Sequence, residues 1–455
     1  MLYGYDLNQI IPCCHTTDNK DETQAKKSTF YFSLLITTML FLIFGCHEDD
    51  GSKQESGMSL KWSLQLSAPI YYGSPALSHD EKTLYIGTSI PLTPQAGNHY
   101  YLALDAATGK ETWRLPLGSN EFRSTTAVHT DHSLFFTVQT HDPANGMITG
   151  DELWHVSAQG QVLWKSNINP SNLSIDIGLS APAIGADGTV YVGGDKLYAI
   201  NQDGSLKWHY TNPWPESIRN AVSLASDGTV YFVYHNTPLT ALNPQDGSIK
   251  WTLSLGVNDH CFATPAIGAN GNIYVATQPG IIYAVSSQGQ LLWNFDIGAV
   301  GFSGSIRCSP SIDREGTIFF GITNGQPASA LFAITPEGLI KWIFEPSNLP
   351  DDVPPDHFDI YSSPAIGSDN NIYFGQEFGR VYALKASDGS VVKVSPTTTG
   401  ITWSSPAIDQ NGTLYINDLN GKIYAFQTTA KGLQSSAYWP KYRYNNQNTG
   451  CVNHP

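Results

Sequence analysis

The chain has 455 residues, a formal net charge of −15 and 24 lysine and arginine side chains. So few scattered cations cannot be assembled into a basic face, which argues against nucleic acid as a partner. Six cysteines are too sparse for a disulfide framework, and a chain of this length can bury a core that needs none.

Residues 1–45 are predicted to be a leader that ends in a lipoprotein-type signal. Lys26 and Lys27 precede an apolar stretch from Phe30 to Gly45, which is typical of a secretory signal and short for a membrane span. The stretch ends at Cys46 in a sequence that resembles a bacterial lipoprotein signal, in which cleavage leaves the cysteine lipid-modified. An uncleaved single anchor is the alternative.

Residues 46–58 are polar and predict a flexible tether. His47 rather than Asp follows the cysteine, which by the same resemblance favours delivery to the outer membrane. We therefore expect a protein of the cell envelope that is held at the membrane by a lipid and faces the periplasm or the cell surface.

One repeat unit returns eight times between residues 59 and 430. Its clearest copy runs from Ser180 to Tyr191, then from Lys196 to Ile200, then from Asp203 to Trp208. Each copy holds four short strand signals separated by glycine turns, and such repeats are typical of radial β-architectures. We predict an all-β, eight-bladed β-propeller of four-stranded antiparallel blades. The copies align on one anchor residue in the innermost strand: Pro75, Thr126, Pro182, Val222, Pro265, Pro310, Pro364 and Pro406.

The eighth copy lacks its outer strand, and an unassigned strand lies before the first copy. No tryptophan-bearing strand follows Ala425–Phe426, whereas Ser59–Leu64 has the composition of the missing piece. We predict that this N-terminal strand completes blade eight and closes the ring, because an open edge would otherwise remain between the first and last blades. With Trp62 included, seven blades carry an outer-strand tryptophan, and Lys393 takes its place in blade seven.

The run from Ala103 to Trp113 resembles the tryptophan-docking repeat of the pyrroloquinoline-quinone-like (PQQ-like) propeller family. In that family the tryptophan of one blade packs on the Ala and Gly of its neighbour. The resemblance covers residues 59–427, and Tyr438–Gly450 in the C-terminal extension, residues 431–455, is similar to a segment that flanks many such propellers. The family contains quinoprotein dehydrogenases and also non-enzymatic members, among them the propeller lipoprotein of the machinery that assembles outer-membrane β-barrels.

Three residues before the anchor, at the mouth of the central channel, seven of the eight repeats carry an arginine or an aromatic side chain, and the third carries Leu179. Three of the seven arginines of the chain fall in this ring, which we call the rim. Interleaved arginine and aromatic groups can bind an anionic or carbohydrate ligand, or a peptide carboxylate. Alternatively, the arginines pair with acidic loop residues such as Asp356 or Asp359 and stabilise the rim. The candidate ligand residues are Tyr72, Arg123, Arg219, Phe262, Arg307, Tyr361 and Trp403.

The resemblance implies what a cofactor site would need. Quinoprotein dehydrogenases are known for an adjacent cysteine pair in the propeller, a calcium ion and an aspartate base. This propeller has no such pair and no calcium-binding set that can be matched, so no cofactor is expected, and neither PQQ nor calcium has support. The acidic loop Pro350–Asp359 is rich in the oxygen ligands that cations take, although a solvated loop is the more common meaning. Cys261 and Cys308 could pair in a disulfide or remain two separately buried thiols, and we favour the thiols.

These observations favour a non-enzymatic lipoprotein whose propeller is a scaffold or partner-binding platform at the bacterial envelope. The alternative is a carbohydrate- or anion-binding propeller that uses the rim, and a degenerate quinoprotein dehydrogenase is the third hypothesis. The expected partner is an envelope protein or an acidic or carbohydrate ligand. Because propellers serve many functions, the first hypothesis rests on analogy at the level of the fold.

Overall fold

A computed structural model of the chain describes residues 58–71, 73–89, 99–170, 180–211, 213, 218, 220–233, 238–256, 261–346, 359–377, 380–396 and 403–452. These residues all belong to one compact unit, residues 54–455. The predicted leader, the predicted lipidation site Cys46 and nearly all of the tether lie outside the described residues. No helix in the described part of the chain is long and apolar enough to cross a membrane.

The strands form eight antiparallel blades, which confirms the predicted fold. Blade one contains β2 (Ala76–Leu77), β3 (Thr83–Gly87), β4 (His99–Asp105) and β5 (Glu111–Gly118). Blade two contains β6 (Glu121–Phe122), β7 (Ala127–Val128), β8 (Leu134–His141), β9 (Ile148–Val156) and β10 (Val162–Asn167). Blade three contains β11 (Ala183–Ile184), β12 (Val190–Gly193), β13 (Leu197–Ile200) and β14 (Leu206–Tyr210). Blade four contains β15 (Ser223–Leu224), β16 (Val230–Phe232), β17 (Leu239–Leu242) and β18 (Ile249–Leu253).

The second half of the ring repeats this plan. Blade five contains β19 (Ala266–Ile267), β20 (Ile273–Ala276), β21 (Ile281–Val285) and β22 (Leu291–Asp296). Blade six contains β24 (Ser311–Ile312), β25 (Ile318–Gly321), β27 (Leu331–Ile334) and β28 (Ile340–Phe344), with β23 (Ser303–Ser305) and β26 (Thr323–Gln326) as a separate pair. Blade seven contains β29 (Ala365–Ile366), β30 (Asn371–Gly375), β31 (Val381–Lys385) and β32 (Val391–Val394). Blade eight contains β33 (Ala407–Ile408), β34 (Thr413–Asn417), β35 (Lys422–Gln427) and β1 (Ser59–Gln65). Two short 3₁₀ helices lie at Ala269–Gly271 and Ile297–Val300.

Each blade passes from a buried inner strand to a half-exposed outer strand. The inner strand β11 and the two middle strands β12 and β13 are buried at every position. The outer strand β14, in contrast, alternates between exposed and covered residues. The middle strands are apolar on both faces because each face packs against a neighbouring blade, and the core therefore lies between the blades.

The outer-strand tryptophans join each blade to the next. Trp208 of blade three donates its indole N–H to the carbonyl of Pro244 in blade four, at 2.9 Å. The ring packs on Gly247, where a Cβ would lie 2.6 Å from the indole and φ is +72°, so only glycine fits. The packing implied by the family resemblance is therefore confirmed. The same bond, at 2.8–3.0 Å, is made by Trp62, Trp113, Trp164, Trp251, Trp293 and Trp342.

The N-terminal strand closes the ring as predicted. β1 pairs antiparallel with β35, with Ser59 opposite Gln427 and Gln65 opposite Lys422. Trp62 then donates its indole N–H to the Ala106 carbonyl of blade one, at 3.0 Å. The strand thus completes blade eight and also docks that blade on blade one.

Candidate functional site

Small hydroxyl side chains, placed just before the anchors, connect the inner strands around the channel. In five successive pairs of blades the backbone N–H of one such residue donates to the hydroxyl of the next, at 2.8–3.2 Å. We call this series the hydroxyl girdle. Blades three and four carry Ala181 and Ala221 at the same position, so their side chains cannot take part. The members run from blade five through blade eight to blade two: Thr264, Ser309, Ser363, Ser405, Ser74 and Thr125.

Residues 433–452, which we call the plug, close the end of the channel opposite the rim. Two positions after the anchor, six inner strands donate a backbone N–H to a carbonyl of the plug, at 2.8–2.9 Å. In blade eight, the backbone of Ile408 bonds to the side-chain amide of Asn446 instead. The plug therefore binds seven of the eight inner strands. The six donors are Leu77, Val128, Ile184, Leu224, Ile312 and Ile366.

Arg443 of the plug spans the gap in the hydroxyl girdle. Its side chain is fully buried, and its guanidinium donates to the carbonyl of Val222 in blade four, at 2.8 Å, and to that of Pro182 in blade three. These are the anchor residues of the two blades that lack a girdle hydroxyl. Arg443 therefore connects them by a different route.

Two neighbours of Arg443 place further polar groups at the channel floor. The Tyr442 hydroxyl bonds with Thr125 and Thr264, which flank the gap in the girdle. Lys441 is fully buried and donates to the side chain of Asn448 at 2.7 Å. Burial, and to a lesser degree the charge of Arg443, lower the pKa of Lys441 to about 7.

The sequence predicted only a C-terminal extension for the plug, and its place in the channel was not predicted. One feature of the sequence pointed to this position: every residue from Asn445 to Asn448 has an amide side chain. Amide side chains carry both donors and acceptors, and so suit the unpaired backbone groups at strand ends. Asn446 and Asn448 use theirs in this way, on Ile408 and Pro75.

At the mouth, the structure brings four predicted rim residues into one continuous row. Trp403 of blade eight and Tyr361 of blade seven have ring centroids 5.1 Å apart. The Arg307 guanidinium of blade six lies 5.9 Å from the Tyr361 ring centroid and 5.5 Å from that of Phe262 in blade five. Tyr71 of blade one extends the row, with its ring 5.2 Å from Trp403 and edge-on to it. We call these five residues the arc.

The two arginines of the rim that are described have different surroundings. Arg123 is buried, forms an ion pair with Glu121 at 3.2 Å and donates to Gln139 at 3.0 Å, so its charge is offset within blade two. Arg307 is partly exposed, and its Nε has no hydrogen-bond partner in the described part of the chain. The remaining candidates, Tyr72 and Arg219, lie outside the described residues.

A pair of carboxyl groups lies beside the arc. Burial raises the pKa of Glu377 to about 7, and the neighbouring Asp359 carboxylate, which accepts a hydrogen bond from it, acts in the same direction. Asp359 also accepts a 2.6 Å bond from the Ser329 hydroxyl. Burial, together with these two carboxylates, raises the pKa of Tyr361 to about 12, against the opposing charge of Arg307. Asp359, one of the predicted partners for a rim arginine, is thus engaged by Ser329 and Glu377.

Two further predictions concern metals and cysteines. Among the described residues, no three His, Cys, Asp or Glu side chains form a group able to hold a metal ion. All of the predicted acidic loop except Asp359 lies outside the described residues. Cys261 and Cys308 are buried free thiols, as favoured from the sequence, and Cys451 of the plug is a third.

Comparison with known proteins identifies relatives of the repeat region. The profile of the PQQ_2 family, described as outer membrane protein assembly factor BamB, matches residues 149–395 and 263–441. The outer membrane protein assembly factor BamB of Yersinia pestis is 31% identical over 255 residues, which cover 53% of this chain and 58% of that protein. The chain thus spans less than two thirds of the length of this curated relative.

Solved structures show the same fold at lower identity. BamB from Moraxella catarrhalis superposes with a TM-score of 0.57 at 14% identity, covering 82% of this chain and 100% of that one. Quinohemoprotein alcohol dehydrogenase from Comamonas testosteroni superposes with a TM-score of 0.60 at 14% identity, covering 82% of this chain and 76% of that one. At this identity the likeness establishes the fold, which assembly factors and enzymes share.

Proposed function

Because the chain belongs to the family of the outer membrane protein assembly factor BamB, we propose that it is an exported lipoprotein whose propeller binds a protein partner at the bacterial envelope. The family match across residues 149–441 is the observation that carries the proposal. Because these relatives are outer membrane protein assembly factors, we expect a partner that takes part in outer-membrane protein assembly. In this role the propeller is a platform, and the proposal requires neither catalysis nor a cofactor.

The geometry favours the rim face as the surface that meets the partner. The plug and the tight turns of the blades occupy the opposite face, as with the Asn201–Ser205 turn next to the end of β13. The rim face carries the arc and longer connections, such as the exposed loop 142–147 between β8 and β9. Loops held on a rigid scaffold are where binding surfaces usually lie.

Anchoring is tested by the substitution Cys46→Ser. If Cys46 carries the lipid, the wild-type protein fractionates with the outer membrane, and the variant is either released as a soluble product or retains its leader. Mass spectrometry of the wild-type protein checks the same point directly. An unmodified Cys46 thiol on the mature wild-type protein would contradict the lipoprotein proposal.

Partner binding is tested by affinity purification of the tagged protein from detergent-solubilised membranes of its native organism. We expect an envelope protein involved in outer-membrane protein assembly to be enriched. A matched culture that carries the tag on an unrelated outer-membrane lipoprotein controls for capture by the lipid anchor. Equal recovery of every envelope protein from the two cultures would refute the platform proposal.

A further inference from the structure

The arc at the channel mouth has an unusual composition for a structural contact. It is a row of neighbouring aromatic rings, with one arginine between Tyr361 and Phe262, and each member comes from a different blade. All five side chains keep part of their surface accessible. Partly exposed ring faces that line a concave opening are typical of ligand sites, since they offer apolar contact area with few polar groups.

Two donors of the arc have no acceptor in the part of the chain that the structure describes. The Nε of Arg307 and the indole Nε1 of Trp403 are both covered by protein, and neither has a hydrogen-bond partner among the described residues. The contacts of the Arg307 guanidinium within the described part of the chain are with the rings of Phe262 and Tyr361. A guanidinium that lies over aromatic rings, and whose Nε is unpaired among the described residues, is suited to take a carboxylate from a ligand.

Three backbone N–H groups near the arc are not available to an extended peptide. The N–H groups of Ser363 and Ser405, two positions after Tyr361 and Trp403, already donate to the hydroxyl girdle. The N–H of Ser309, two positions after Arg307, does the same. Recognition of a peptide strand depends on unpaired backbone groups at an edge, and these are committed to the ring itself. The engagement of these three donors favours recognition of a ligand through side chains.

The plug limits how a ligand can enter. It binds seven inner strands at the far end, so a ligand reaches the arc from the rim face. A small molecule or the end of a chain fits this arrangement.

From these observations we infer that the arc binds an acidic carbohydrate, a pyranose that carries a carboxylate. The electron-rich faces of Trp403, Tyr361 and Tyr71 attract the polarised C–H groups on the apolar face of a sugar ring. The Arg307 guanidinium takes the carboxylate, and the sugar hydroxyls accept from donors of the arc. This binding activity goes beyond the platform function and is independent of any protein partner.

The inference is tested by calorimetric titration of the purified protein with digalacturonate, with galactobiose as the neutral counterpart. We expect digalacturonate to bind, galactobiose to bind at least tenfold more weakly, and the affinity for digalacturonate to fall as salt rises. Arg307→Gln should weaken digalacturonate binding at least tenfold. Arg314→Gln, which alters an exposed arginine paired with Glu315 outside the channel, should leave it unchanged.

A second variant keeps the inference testable if Arg307→Gln fails to fold. Trp403→Phe retains an aromatic face but removes the indole N–H, so binding should persist with lower affinity while the ligand-induced change in tryptophan fluorescence disappears. Three results would overturn the inference: no digalacturonate binding by the wild-type protein, equal binding of the neutral sugar, or tighter binding of an Asp-Glu tetrapeptide. None of these results would bear on copurification of an envelope protein.

Discussion

Replacing Arg443 by methionine tests whether the plug holds the ring together. The substitution fills a similar volume but leaves the buried carbonyls of Pro182 and Val222 without their donor. Each orphaned buried acceptor costs about 1–3 kcal/mol. Removal of a buried cation offsets part of this cost, because the guanidinium no longer has to be desolvated. We therefore expect a net loss of about 2–4 kcal/mol, taking both effects together.

The assay is thermal unfolding followed by circular dichroism. A propeller of this size has an unfolding entropy of roughly 0.8 kcal/mol/K, so the expected loss corresponds to a fall in Tm of about 3–5 °C. Arg314→Met is the control, because Arg314 is exposed and pairs with Glu315 at the surface. Such a pair contributes about 0–1 kcal/mol. If Arg443→Met melted like this control, the plug would not be a structural support of blades three and four.

Four further predictions concern stability. Trp208→Ala truncates a buried aromatic side chain and should lower the free energy of unfolding by about 3–5 kcal/mol. Lys393→Ala, at the matching position of blade seven, should change it little, and chemical denaturation of both variants checks the difference. Deletion of Ser59–Gln65 should lower Tm relative to the intact protein, because β35 then loses its partner strand and becomes an open edge. An unchanged Tm would contradict closure of the ring by β1. The pKa of Glu377 is about 7 in the folded state against an ordinary value of 4.5, so the native state binds more protons than the unfolded state between these values. The free energy of unfolding should therefore fall as pH rises from 4.5 to 7, and this fall should be absent in Glu377→Gln. Burial lowers the pKa of Lys441 from 10.5 to about 7, so the unfolded state binds more protons than the native state between these values. The free energy of unfolding should therefore rise as pH rises from 7 to 10.5 in the wild-type protein but not in Lys441→Met.

The propeller could be predicted from the sequence because its contacts repeat. An outer-strand tryptophan such as Trp208 meets the next blade in the same way seven times, so the pattern recurs at a fixed spacing. The closure by Ser59–Gln65 was predictable for the same reason, since the strand matches the piece that blade eight lacks. Most of the fold could therefore be predicted from patterns that recur in every blade.

The plug and the details of the rim could not be predicted in this way, because each of their contacts occurs once. Arg443 meets Pro182, more than 250 positions away, and no repeat marks that pairing. The rim was predicted as a ring of equivalent positions, yet Arg123 is offset by Glu121, two positions before it, while Arg307 packs over aromatic rings. Neighbouring loops differ between blades, so they give equivalent positions different electrostatic surroundings.

Contact between the rim face and an envelope partner can be tested by photo-crosslinking in intact cells of the native organism. A photoreactive residue is placed at Ala144, an exposed position on the rim face, and as a matched control at Asp203, an exposed turn on the plug face. We expect a crosslink to an outer-membrane assembly protein from Ala144 and none from Asp203. Crosslinks to that protein from Asp203 alone, or from neither position, would contradict it.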